Sequence, residues 1–311
     1  VFPSGDIFLI SDDHDMREAA ASYGLIGRAL DMPGDLPDGA NVVLVLRNSF
    51  VSRSMRKNFE RMRVLVIPIA SFDPSLEASL YTLKLVVDSD YSAACEMNHY
   101  WTDKVANAAG PLIFEGKNAG GNPAGVTSLS CTFGSEIEAN AWMTTELDVG
   151  HWVSVGSYCE FSMTAPSSKD WCGRFAINGM VAASGVLVAE DVRANDDGKD
   201  RIRRAKELRE ELVSHAPIML RLEDGRVTSV EADGDDFTDA LRQVTNPDYD
   251  LHALELGLGT NMNLLPQINW EYNSQMNEGA GAVHIGIGEG ITGAHMDFVV
   301  AESQHRFEGV S

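Results

Sequence analysis

Asn41-Val-Val-Leu-Val-Leu46 and Arg63-Val-Leu-Val-Ile-Pro-Ile69 are continuous aliphatic runs, rich in β-branched residues, with no polar position alternating through them. A strand wetted on one face alternates polar and apolar residues, whereas a strand covered on both faces reads as an unbroken apolar run. Working outward, Gly5-Asp-Ile-Phe-Leu-Ile10 is a third such run. The segment Asp15-Met-Arg-Glu-Ala-Ala-Ala-Ser-Tyr-Gly-Leu-Ile-Gly-Arg-Ala-Leu30 then sets apolar residues at helical spacing behind an acidic start. Residues 74–86 and 91–109 read as two further helices. Strands alternating with helices predict an α/β class with a parallel sheet, over an N-terminal domain of residues 1–125.

The Gly- and Asn-rich stretch Glu115-Gly-Lys-Asn-Ala-Gly-Gly-Asn-Pro123 closes this pattern and reads as a linker or lid. Beyond it, residues 126–311 form a second domain of shorter strands. Tyr158-Cys-Glu-Phe-Ser-Met-Thr164 alternates, Trp171-Cys-Gly-Arg-Phe-Ala-Ile177 and Val186-Leu-Val-Ala189 are apolar, and 218–230 are two strands about Asp224-Gly225. Asp200 to Leu212 is a charged helix with a thin stripe of Ile202, Ala205, Leu208 and Leu212, whose arginines could attract an anionic group. Residues 237–244 fit a short helix. This half is therefore expected to be α+β.

The chain has 46 Asp and Glu against 24 Lys and Arg, a net charge of −22, which repels phosphate backbones and anionic membranes and argues against a nucleic-acid partner. No apolar run is long enough to span a bilayer, and Val1-Phe-Pro-Ser-Gly5 lacks the basic region and apolar core of a signal peptide. Cys95, Cys131, Cys159 and Cys172 are widely spaced and form no Cys-x-x-Cys pair, which points to buried thiols in a cytoplasmic protein. His14, among Asp12, Asp13 and Asp15, reads as a strand-to-helix loop whose acids favour the helix start.

Chemistry concentrates near the C-terminus, in Glu255-Leu-Gly-Leu-Gly-Thr-Asn261, Val283-His-Ile-Gly-Ile-Gly288 and His295-Met-Asp297. On a strand, positions i and i+2 face one way, so His295 and Asp297 can share a ligand. A strand, a glycine turn and a second strand would bring His284 to the same place. Two imidazoles and a carboxylate suit one divalent metal, Zn(II) or Fe(II), with Glu255 as fourth ligand or general base. Glu278 and Glu289 are weaker candidates. His99, in Asn98-His-Tyr-Trp101, is a substrate-contact candidate together with Glu278.

These three motifs resemble the C-terminal signature of the aminopeptidase T family of metallo-aminopeptidases, which includes bacterial leucyl aminopeptidases. A weaker similarity runs upstream through Asp224-Gly-Arg-Val227 and from Gly173-Arg to Val188. The resemblance implies an aminopeptidase-like second domain, a homodimer, and action on an amide or amino group of a peptide-like small substrate, by hydrolysis or cyclisation. Two features of the family are missing. A Pro-x-Gly-Glu segment supplies a further metal-binding Glu there, whereas Asn178-Gly-Met-Val-Ala-Ala-Ser-Gly-Val-Leu187 has no acid, and residues 285–294 hold no counterpart of the catalytic Tyr. One metal is therefore expected in place of two. The same superfamily contains 2,5-dihydroxypyridine 5,6-dioxygenases with a single iron on two His and one Asp, which makes an iron-dependent ring cleavage of an aromatic substrate the alternative. A relative that only binds peptide is a further one.

Overall fold

The computed structural model describes residues 1–31, 35–108, 110–117, 126–134, 137–164 and 175–307. Its aliphatic runs pair as parallel neighbours. The strands β1 (Ile7–Ser11), β2 (Ile26–Ala29), β3 (Asn41–Val45) and β4 (Arg63–Ile67) are joined by β8 (Trp152–Ser154) in the order β2-β1-β3-β4-β8. Val43 and Val45 face one apolar cluster with Leu83 and Val86 of a later helix. Val42 and Leu44 face another with Phe59 and Met62. Both faces are covered, which is what an unbroken apolar run requires.

Residues 15–30 are not one helix. The short α1 (His14–Ala19) passes into a 3-10 turn that stops at Gly24, whose φ of 71° is the left-handed conformation that closes helices. Ile26–Ala29 then pairs with β1 as an edge strand. Gly27 lies so close under α1 that a Cβ there would come within 2.2 Å of the Arg17 carbonyl oxygen. The glycine stop and the sheet edge override the helical spacing of the apolar residues. The next helices, α2 (Arg53–Asn58), α3 (Leu76–Asp88) and α4 (Tyr91–Ala106), start on Ser52, Ser75 and Asp90 side chains that accept from the first turn.

The acids at 12 and 13 order a neighbouring loop. Asp12 accepts from Arg47 N, Asn48 N and Ser49 Oγ, and Asp13 from Arg47 Nη1 and Met16 N. The loop that leaves the C-terminal end of β3 is thereby tied to the one that leaves β1.

The remaining strands form two antiparallel sheets. One contains β5 (Leu112–Lys117), β6 (Val126–Phe133), β10 (Phe175–Ala183), β12 (Ile218–Glu223), β13 (Arg226–Ala232), β14 (Asp235–Asp236) and β18 (Gln304–Phe307), in the order β14-β13-β12-β10-β6-β5-β18. The other contains β7 (Glu138–Asn140), β9 (Glu160–Thr164), β11 (Gly185–Ala189), β15 (Ala253–Gly259), β16 (Val283–Ile287) and β17 (His295–Val300), in the order β11-β17-β16-β15-β9-β7. Sheet membership thus changes at Leu112 and changes back for β8, on either side of residue 125. Asp224 and Gly225 carry the positive φ values, 48° and 79°, of the β12–β13 hairpin turn. Residues 118–123 of the glycine-rich stretch, and 171–174 with Cys172, lie outside the described residues. Cys95, Cys131 and Cys159 are buried free thiols, and no helix among the described residues is long and apolar enough to cross a membrane.

Beside α5 (Val155–Cys159), the second half adds α6 (Asp196–Ser214), α7 (Thr238–Val244) and α8 (Gln275–Ala280). The stripe of α6 is buried, but its arginines are committed within the chain. Arg201 donates to the carbonyls of Thr245 and Thr292, Arg203 pairs with Asp200 and Glu207, and Arg204 pairs with Asp200. Arg209, 5% exposed, donates to the carbonyls of Val186, Trp270 and Glu271. Arg209→Met keeps the aliphatic volume and leaves these oxygens without donors, so it should cost about 3 kcal/mol in urea unfolding.

Candidate metal centre

Alternation along the second antiparallel sheet sorts its side chains. Phe161, Met163, Leu256, Leu258, Ile285, Ile287, Met296 and Phe298 enter one core cluster against the first antiparallel sheet. The intervening positions, Glu160, Glu255, Gly257, His284, Gly286, His295 and Asp297, share the opposite face. Register fixes their neighbours: Gly257 lies opposite His284, Gly286 lies between Glu255 and Asp297, and Gly259 lies opposite Glu160. The β15–β16 ladder shifts register between Ala253 and Glu255, so Ala253 faces the core while Glu255, two positions on, faces the opposite side.

The glycines make the room. A Cβ on Gly257 would stand 1.9 Å from His284 Cε1 and 2.1 Å from its Nε2. One on Gly286 would stand 2.8 Å from Asp297 Oδ1, Glu255 Cβ and His295 Cε1. The imidazoles and carboxylates therefore lie over bare backbone, a requirement no other residue satisfies.

Two donor sets result, Glu160–Glu255–His284 and Glu255–His295–Asp297, each with its ligand atoms within 4.8 Å of one another. Glu255 belongs to both. Its Oε1 is 3.8 Å from His284 Nε2, and its Oε2 is 3.5 Å from His295 Nε2. Glu160 Oε2 is 3.8 Å from His284 Nε2, and Asp297 Oδ1 is 3.0 Å from His295 Nε2. His295 Nδ1 donates to the Gly288 carbonyl at 2.8 Å, which fixes the tautomer and leaves Nε2 for the centre.

The electrostatics are those of acids and bases forced together. Burial works against a charge on His284, but the Glu255 carboxylate 3.8 Å away, with Asp297 and Glu160 nearby, pushes it up to about 9. Burial likewise opposes His295, and Asp297 with Glu255 raises it to about 10. Burial, opposed by His284 and reinforced by neighbouring carboxylates, carries the Glu160 carboxyl to about 8. Glu278 on α8, 6% exposed, is driven well above the usual carboxylate range by burial and by Asp297, Glu160 and Glu255. As a neutral acid it donates to Asp297. Burial opposes ionisation of Asp297, yet the imidazoles and this hydrogen bond hold it below its ordinary value.

The donor set fits a divalent cation. Glu160 Oε2, which faces His284 Nε2 at 3.8 Å, is buried without a hydrogen-bond partner, and such atoms are rare in folded proteins unless something is meant to meet them. Imidazole nitrogens with carboxylate oxygens suit zinc or a similar first-row ion.

Sequence spacing brings His284, His295, Asp297 and Glu255 to this face, with Glu278 behind Asp297. His99 stands apart, exposed on α4 and hydrogen-bonded to the Met143 carbonyl. Glu289 is occupied by Ile291 N, Thr292 N and Asn246 Nδ2 in the β16–β17 turn. Glu160 is the residue that spacing does not suggest. It comes from a distant strand, where Glu160, Ser162 and Thr164 alternate with buried Phe161 and Met163. That alternation was the available signal.

A cleft of about 410 Å³ leads to His295. Its walls come from the chain after β3 and β4 (Leu46, Ser49, Phe50, Val51, Pro68, Phe72), where open α/β sheets commonly bind ligands. The opposite wall contains Ala189 to Val192 at the end of β11.

Fold and centre together define an α/β protein with a buried imidazole–carboxylate cluster on one face of an antiparallel sheet. The family model described as crocagin biosynthetic protein CgnE/B matches residues 4–308, and the chain belongs to that family. Membership of the aminopeptidase T family, which the C-terminal motifs resemble, is not shown. A solved structure, wild-type AmpT from Thermus thermophilus, is 12% identical and aligns over 98% of this chain and 90% of its own, with a TM-score of 0.46. Among curated proteins none matches.

Proposed function

We propose that this protein is a metal-dependent enzyme that modifies a peptide at an amide or amino group, using a pair of divalent ions that share Glu255. The observation that carries the reading is the opposed aim of the two Glu255 oxygens, each toward a different imidazole. Membership of a family described as crocagin biosynthetic suggests a peptide-modifying enzyme and supports the substrate class. The two histidines fall in different donor sets, which favours this arrangement over a single iron on two His and one Asp.

Glu160 and His284 would hold one ion, His295 and Asp297 the other. When bound, such ions supply Lewis-acid polarisation of a carbonyl and a more acidic water. The chain's own groups orient and insulate. Gly288 holds the His295 ring in place, Glu278 keeps a proton against Asp297, and the apolar face of the sheet shuts water out from behind. With both oxygens turned to imidazoles, Glu255 serves as a ligand.

Metal analysis of protein prepared without added metal, followed by zinc reconstitution and mass-spectrometric assay of a peptide amide, tests the reading. Two bound ions with cleavage or cyclisation support it. Protein that takes up no zinc at any concentration, yet still binds peptide, overturns it in favour of a non-catalytic binder.

Uptake should depend on pH with a defined sign. Metal takes neutral imidazole, but the neighbouring carboxylates hold His284 and His295 protonated up to about 9 and about 10. Filling both sets near neutrality must release about two protons from these rings and one from Glu160, whose carboxyl is carried up to about 8, so affinity climbs as pH rises from 6 towards 9. Chelator competition across that range should show the climb, and calorimetry in buffers of different ionisation enthalpy should count the protons. A flat profile would remove the imidazoles from the ligand list.

A further inference from the structure

The proposed chemistry names an amide but not the side chain beside it. The cleft that ends on His295 is lined by Leu46, Phe50, Val51, Pro68 and Phe72 on one wall and by Val192 on the other. Two of these are exposed although aliphatic, Val51 at 40% and Val192 at 56%. Among the described lining residues there is no lysine or arginine, and the ionisable ones besides His295 are Glu190, Asp191 and Glu289. The cations that pair with the first two, Lys206 and Arg193, are not lining residues. Along the walls, away from His295 and whatever it holds, a carboxylate entering the cleft would meet apolar carbon and acids, with no lysine or arginine to receive it.

We infer that this cleft is the specificity pocket of the centre and takes a bulky, uncharged apolar side chain of the peptide. This rests on the peptide-modifying reading above. Its size is sufficient, since about 410 Å³ exceeds what one large side chain fills and leaves room for flanking backbone. Its position is also apt. The pocket shares His295 with the second donor set, so a side chain seated there would bring its own main-chain amide to the ions. The Asp12 and Asp13 tether fixes the 46–51 wall, so the pocket exists before the peptide arrives.

The test uses dye-labelled, end-blocked tripeptide amides, Ala-Phe-Ala and Ala-Asp-Ala, titrated by fluorescence anisotropy with the whole protein, zinc-loaded and chelator-treated. At least tenfold tighter binding of the Phe peptide is expected. Val51→Asp and Val192→Asp, both at exposed positions, should each weaken it tenfold or more while zinc content and thermal midpoint stay as in the parent. Equal affinity for the two peptides, or unchanged affinity in both variants, overturns the proposal. Selective Phe binding by protein that takes up no zinc would preserve the pocket and sink the metal reading. Zinc uptake without peptide selectivity would do the reverse.

Discussion

Glu255→Ala should empty both donor sets at once: bound zinc is expected to fall from about two ions per chain to none, with loss of any metal-dependent turnover. The reason is geometric. Each Glu255 oxygen faces a different imidazole, so deletion leaves Glu160–His284 and His295–Asp297 as two-ligand remnants, below the three protein ligands that zinc sites ordinarily use. Single-set variants provide the contrast. Glu160→Gln should lose one ion and Asp297→Asn the other, each keeping its neighbour. Metal stoichiometry by mass spectrometry reads all three, and loss of one ion only in the Glu255 variant would show that the carboxylate is not shared.

Gly257→Ala is the second large effect, and it adds a single carbon. That carbon would overlap the His284 ring, at 1.9 Å from Cε1 and 2.1 Å from Nε2, and it lies on a strand paired on both sides, so the backbone cannot retreat. The ring must turn away from Glu160 and Glu255. Overpacking of this kind costs about 1–3 kcal/mol. Zinc affinity should fall by about 100-fold or more, as ligand misplacement does even through outer-shell partners. Gly234→Ala is the matched control: it too changes a glycine, at φ +89° in a turn with nothing within 4 Å of the added carbon. It should cost stability and leave zinc binding intact. Equal zinc affinity in the Gly257 variant would refute the crowding argument.

The sequence made the parallel sheet legible because burial on both faces erases polar alternation, as in Asn41–Val45. It made four members of the candidate centre legible because His295 and Asp297 sit two residues apart on one strand and His284 and Glu255 sit in glycine-rich runs. Two things were hidden. The end of α1 at Gly24 depended on a sheet edge waiting for Ile26–Ala29, which is long-range information. Glu160 lies 95 residues before Glu255 in the chain, since 255 minus 160 is 95, and meets the others only through the β9–β15 pairing. No local spacing rule can find a ligand delivered by the neighbouring strand.

The shift of register beside Glu255 has one more consequence. The slip ends where Glu255 begins: from there each residue pairs in step with β9 as far as Gly259 and with β16 as far as Gly257. A one-residue deletion inside the paired run, between Glu255 and Leu258, would turn the alternation beyond it over and send Leu258 to the centre. The cluster is therefore tied to chain length along that run as well as to residue identity. Homologues that keep the centre should vary freely in their turns but carry no insertion or deletion between the slip and Gly259.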